Sequence, residues 1–229
     1  MRKRIQMRTY FLGLLATAST CWTITAAEPQ SGPERWESDI AKFEAADKEN
    51  PPTAGGVLFI GSSSIRMWKT LTEDFPNESV INRGFGGSEI SDSIHFADRI
   101  VFPYKPRTIV LYAGDNDISR GKNADKVLDD YKTFVRTVRK NLPTARIAFI
   151  AIKPSLKRWE LASEMKKANG KIRRYCALRR RLDYMDIWKP MLGKDGTPRP
   201  ELFAKDGLHL NSEGYKLWTS VIRPFVAKR

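Results

Sequence analysis

The feature of this chain that most restricts its fold is an alternation. Apolar, often β-branched runs at 57–60, 79–82, 108–112, 146–152 and 182–187 are separated by longer stretches of helical periodicity. Those stretches lie near 65–71, 90–100, 124–141 and 156–178, and a last one follows at about 212–227. Strand and helix in strict succession predict right-handed βαβ crossovers, because parallel neighbours must be joined across a face of the sheet. The expected fold is therefore α/β: a three-layer α/β/α sandwich on a five-stranded parallel sheet, covered on both faces. Such a sheet presents its chemistry at the carboxyl ends of its strands.

Smaller signals fill in the frame. Trp36, Ile40 and Phe43 lie at helical spacing, and Pro51 and Pro52 end that segment. Ser212, with Glu213 behind it, is the expected cap of the last helix, which Pro224 is expected to shorten or kink. No internal repeat or linker divides the chain, and 229 residues suit one domain.

The first residues are unlike the rest. Arg2, Lys3, Arg4 and Arg8 precede the apolar run "YFLGLLATA", and small residues follow up to Ala27. A charged start, a short apolar segment and a small-residue exit predict a signal peptide at 1–27, cleaved near Ala27, with a single domain at 28–229. An uncleaved anchor and a lipid-modified Cys21 are the alternatives. The run is short for a spanning helix, and Ser19-Thr20 before Cys21 is a poor lipidation context. The chain is thus expected to be secreted or periplasmic. Cys176 is then the one remaining cysteine, which excludes an internal disulfide and leaves stability to the core.

Removal of four basic residues lowers the net charge from +14 to +10. The excess is concentrated in "KKANGKIRRYCALRRR", 166–181, with eight basic residues and no acid. Met165, Ala168, Ile172, Tyr175 and Cys176 recur there at helical spacing, so the charges read as the solvated face of an amphipathic helix. Nucleic acid is not an expected partner of an exported chain. Peripheral attraction to anionic envelope surfaces is.

Chemistry is concentrated after the predicted strands. The first is followed by Gly61-Ser62-Ser63-Ser64, the second by "NRGFGGS", the third by "AGDND", and a late loop reads "FAKDGLHLN". Taken singly, serines before a helix are ordinary caps, and Gly-Gly and Asn are ordinary turn residues. Together they place hydroxyls, free N–H groups, a carboxamide, a carboxylate and an imidazole on one edge, the parts needed for acyl transfer. Both histidines have an aspartate three residues before them, Asp92 with His95 and Asp206 with His209. The first pair lies in a helical pattern, where it reads as a surface contact. The second flanks Gly207 in a loop, where a carboxylate can fold back onto the imidazole, so His209 is the expected base. The G-x-S-x-G elbow is absent, as are a metal-ligand cluster and a phosphate loop, so no metal or cofactor is expected.

These motifs resemble those of the SGNH, or GDSL-type, hydrolases, in the family's order and across nearly the whole chain beyond residue 27. "FIGSSSI" is similar to the first motif and aligns Ser63 with the nucleophile. "GFGGSE" is similar to the glycine motif and aligns Gly87 with an oxyanion-hole N–H. "GDND" aligns Asn116 with the oxyanion-hole carboxamide, and "DGLH" aligns Asp206 and His209 with the rest of a triad. The resemblance implies the SGNH form of the flavodoxin-like sandwich. It implies a serine esterase acting through Ser63, His209 and Asp206, with an oxyanion hole formed by Ser63, Gly87 and Asn116. Ser62, Ser64 and Asp115 depart from the usual motif residues, and Asp115 is expected to add charge near the site. No large lid is visible, so a small acyl ester is the expected substrate, with acetyl groups on carbohydrate one class. Lys153 and Trp159 are candidate substrate-binding residues; Trp68 and Trp159 read as sugar platforms or as core. A lysophospholipase or thioesterase is the alternative enzyme, and a non-catalytic polysaccharide-binding protein the alternative of another class.

Overall fold

The computed structural model describes residues 32–227, so the reading of 1–27 as an export signal lies outside the described residues. In chain order a 3-10 turn (Pro33–Trp36) leads into α1 (Glu37–Glu49), β1 (Val57–Gly61), α2 (Ser63–Arg66), α3 (Leu71–Asp74) and β2 (Val80–Gly84). Then come α4 (Ile90–His95), α5 (Ala97–Ile100), β3 (Thr108–Tyr112), α6 (Asp115–Ser119) and α7 (Ala124–Asn141). The chain closes with β4 (Arg146–Ile150), α8 (Ala162–Ala177), β5 (Leu182–Met185) and α9 (Ser212–Val226).

The five strands form one sheet in the order β2-β1-β3-β4-β5, and every pairing is parallel. Alternation along each strand sends side chains to two cores. Leu58, Ile60, Ile109, Leu111, Ile147 and Phe149 join one core with residues of α1, α4, α5, α7 and α8. Val57, Phe59, Val110, Tyr112, Ala148 and Ile150 join the other with residues of α2, α3 and α9. Both faces are thus covered, which is why β1 and β3 read as continuous apolar runs: all ten of their residues are buried. Removing one Val, Leu, Ile or Phe side chain from water contributes about 1.5–3 kcal/mol, so the central strands anchor the fold.

The topology determines where a site can form. The chain leaves β1 toward β2 on one side and then returns past β1 to β3 on the other. The segments that follow β1 and β3 diverge, and this opens a crevice at the carboxyl edge.

Element boundaries differ from expectation in several places. The helix expected at 65–71 is split into α2 and α3, because Trp68 turns into the core and donates to Asp74 at 2.6 Å. The helix expected at 90–100 breaks at Phe96, and the one expected from 156 begins only at Ala162, after a 3-10 turn at Trp159–Leu161. The strands expected to reach 152 and 187 stop at Ile150 and Met185. The last helix is capped by Asn211, whose side chain accepts from the Gly214 N–H at 3.1 Å, and not by Ser212. It runs through Pro224 to Val226.

Candidate active site

The sheet ends at Gly61 in a conformation that only glycine tolerates. Its φ is +137°, and a Cβ there would lie 1.8 Å from the Tyr112 carbonyl oxygen. Ser62 still donates to that carbonyl at 3.0 Å, and the chain then turns directly into α2. This turn sorts the three serines. Ser62 and Ser64 are buried, at 0% and 1% exposure, while Ser63 stands at the first helical position. Ser63 Oγ lies 3.1 Å from His209 Nε2.

The imidazole is held from behind. His209 Nδ1 and Asp206 Oδ2 are 2.5 Å apart, and the backbone N–H groups of Leu208 and His209 both donate to Asp206 Oδ1 at 3.0 Å. Its slight burial would raise the Asp206 carboxyl; the Leu208 N–H and the His209 contacts outweigh that and hold it well below the usual carboxylate range. Gly207, at φ +64°, makes the tight return, and its carbonyl accepts from Lys157 N at 3.0 Å. His95 plays no part in this arrangement. It is exposed, edge-on to Phe96, while Asp92 caps α4 and accepts from Trp36 Nε1 at 3.1 Å.

Two further segments follow the carboxyl ends of the strands beside β1. Gly87 has φ +77°, and a Cβ there would meet Trp36 at 3.3 Å; its carbonyl accepts from Arg120 at 2.8 Å. Beyond β3, Gly114 at φ +115° starts the short α6, which presents Asn116 in its first turn. The Asn116 amide donates to the Ser88 carbonyl at 3.0 Å. The N–H of Ser63 stands free of intrahelical partners, as first-turn N–H groups do. Ser63, Gly87 and Asn116 thus lie just beyond the carboxyl ends of β1, β2 and β3.

Lys153 and Asp115 occupy places the sequence did not suggest. Lys153 is 1% exposed and lines no open surface; its Nζ lies 3.1 Å from both Tyr112 Oη and Asp115 Oδ2. Asp115 adds no net charge at the mouth of the site, because it is buried and paired with Lys153 and with Arg158, the latter at 3.2 Å. Burial would raise its carboxyl, but the two cations hold it below the ordinary value. Trp159 is half-buried and stacks on Trp188, with the Lys166 ammonium over both rings, and Trp68 is core. Three supporting residues escaped the sequence reading. Asn82 ties the Ser63 turn to the glycine loop, donating to Ile65 O at 2.8 Å and accepting from Gly84 N at 2.9 Å. Arg120 and Arg158 hold the loop and the carboxamide. The bonds of Asn82 to Ile65, Arg120 to Gly87 and Arg158 to Asn116 are long in sequence, and no local pattern marks them. Among the described residues, no group of three or more His, Cys, Asp or Glu is placed to hold a metal ion.

A parallel α/β/α sandwich with these groups at its switch point is the fold of the SGNH hydrolases. The model of the GDSL-like lipase/acylhydrolase family matches residues 53–217, and the chain belongs to that family. No curated protein matches it. Solved structures similar to it include a GDSL-like lipase from Bacteroides thetaiotaomicron, at 20% identity and TM-score 0.68, covering 85% of this chain and 96% of that one. A carbohydrate esterase family 3 protein from Talaromyces cellulolyticus is similar at 19% identity and TM-score 0.59, over 74% and 95%. An acetyl-xylooligosaccharide esterase from Geobacillus Stearmophilus is similar at 17% and 0.59, over 78% and 97%.

Proposed function

We propose that this protein is an exported serine ester hydrolase that removes small acyl groups, with acetylated carbohydrate as the substrate class. The observation that carries the reading is the chain of contacts from Ser63 Oγ to His209 Nε2 and from Nδ1 to Asp206. His209 takes the Ser63 proton as Oγ attacks the acyl carbonyl. Asp206 keeps Nδ1 protonated and stabilises the imidazolium. Charge develops on the carbonyl oxygen, and on this reading the N–H groups of Ser63 and Gly87 and the Asn116 amide receive it. His209 then returns its proton to the leaving alcohol, and water, activated by the same imidazole, releases the acid.

A small acyl group is favoured by two features of the surroundings. The glycine loop is backed by Trp36, and the segments after β1 and β3 pass straight into short helices, an arrangement that supports a small acyl group over a long chain. The carbohydrate esterases among the similar structures support the substrate class. Export rests on the N-terminal pattern; among the described residues no helix is long and apolar enough to cross a membrane. The test is hydrolysis of p-nitrophenyl acetate, longer p-nitrophenyl esters and acetylated xylan by wild type and Ser63→Ala. Turnover of the acetyl substrates by wild type alone is expected. A preference for long chains refutes the small-acyl reading, and full activity in Ser63→Ala refutes the nucleophile.

A further inference from the structure

Behind the crevice lies a chain of charge with no counterpart in the steps just described. Arg158 Nη1 and Nη2 both lie 3.1 Å from Asn116 Oδ1, and Nη1 is also 3.2 Å from Asp115 Oδ2. Asp115 is held in turn by Lys153, itself against the Tyr112 hydroxyl. The Arg158 side chain is only 17% exposed, and those of Asp115 and Lys153 are 5% and 1% exposed. Two cations and one carboxylate leave this buried cluster with one net positive charge beside the carboxamide. Taking such charges from water is costly, and a fold gains little stability from doing so.

The chemistry of the partners determines the orientation of the amide. A guanidinium has donors only, so the Asn116 atom facing it is the carbonyl oxygen. The Ser88 carbonyl accepts only, so the atom facing it is the nitrogen. One Nδ2 hydrogen goes to Ser88, and the other is left for the crevice. A forked cation on Oδ1 also draws electron density from the amide and makes the remaining N–H a stronger donor.

We infer that Arg158, anchored by the buried Asp115–Lys153 pair, is a positioning residue that orients and polarises the Asn116 carboxamide for the oxyanion. The inference rests on the esterase reading above and deepens it. Arg158 itself touches Asn116 and Asp115, so its effect must pass through the carboxamide. The guanidinium acts on the oxyanion by way of the amide it polarises, so the two residues form one unit.

A mutant cycle on p-nitrophenyl acetate tests this, using wild type, Asn116→Ala, Arg158→Ala, Arg158→Lys and the double variant Asn116→Ala/Arg158→Ala, with Ser63→Ala as reference. Since loss of a whole oxyanion donor costs ~100–1,000-fold in kcat, Arg158→Ala is expected to lose ~10–50-fold, with KM nearly unchanged. The double variant should be no slower than Asn116→Ala to within about twofold, because the two residues act as one unit. Arg158→Lys should recover part of the loss, and so should millimolar guanidinium added to Arg158→Ala. An effect on KM alone, unchanged kcat, or losses that multiply in the double variant would overturn the inference. A second readout is independent of turnover. The Asn116 side-chain NH2 resonances, assigned by their loss in Asn116→Ala, should shift in Arg158→Gln; unchanged resonances count against it. Failure of the esterase reading shows separately, as Ser63→Ala retaining full activity.

Discussion

Asp117 allows the electrostatics beneath the site to be tested as stability. Its side chain is fully buried, and one carboxylate oxygen has no hydrogen-bond partner among the described residues. The other accepts from Lys122 Nζ at 3.1 Å and from the Ile90 N–H at 3.3 Å. Lys122 is shared with Glu89 and Asp130, so it compensates Asp117 only in part. Burial dominates and pushes the carboxyl up from the ordinary 3.8 to about 6. A raised folded-state value means that the folded chain holds its proton where the unfolded chain has lost it, so stability falls as pH rises from about 4 to about 6 and is level above. The full difference corresponds to about 3 kcal/mol, of which on the order of 2 kcal/mol lies between pH 4 and pH 7.5. For a domain of this size that is roughly 4–8 °C in Tm. The measurement is thermal unfolding of wild type and Asp117→Asn across that range. Asn keeps an acceptor for Ile90 and carries no titrating group, so its constant cost cancels in the comparison between pH values. Wild type should lose those degrees relative to Asp117→Asn as pH rises. Parallel curves, or a wild-type curve that gains on the variant, would refute the reasoning.

Other expectations can be checked directly. Gly87→Ala must place a side chain at φ +77° and 3.3 Å from Trp36, which Asp92 holds; the loop shifts instead, and kcat on p-nitrophenyl acetate should fall by roughly 100-fold, the cost of one misplaced donor. Trp218 is fully buried against Trp68, Tyr112 and Tyr215, so Trp218→Ala should cost about 3–5 kcal/mol by urea unfolding. The Cys176 thiol is buried and pushed up to about 11, so it should react with a disulfide reagent at pH 8 only on denaturation.

Much of the architecture is legible in the sequence because parallel strands covered on both faces are buried throughout and so read as largely apolar runs, as β1 and β3 do. The ends of elements are less so, since they depend on tertiary partners. Trp68 ends α2 by burying itself and bonding Asp74, and Asn211 caps α9 although Ser212 is as good a cap by type. At the site, the resemblance to the family's motifs aligns Ser63, Asp206 and His209, and the structure links them as a chain, Ser63 to His209 and His209 to Asp206. Sequence could not show that Lys153 lies beneath the site rather than in it, because its burial depends on Asp115 and Tyr112, both distant in the chain. Arg158 falls by periodicity inside a helix expected from 156, and that helix begins only at Ala162. Its role comes from the side chain it faces and not from its own segment.

The central claim is that Ser63, among three adjacent serines, is the nucleophile made reactive by His209. A fluorophosphonate probe, which needs an activated serine, tests it by peptide mapping of the labelled protein. A single adduct on Ser63, absent in His209→Ala, is the predicted result; labelling of Ser62 or Ser64, or labelling of Ser63 that persists at full rate without His209, would contradict it.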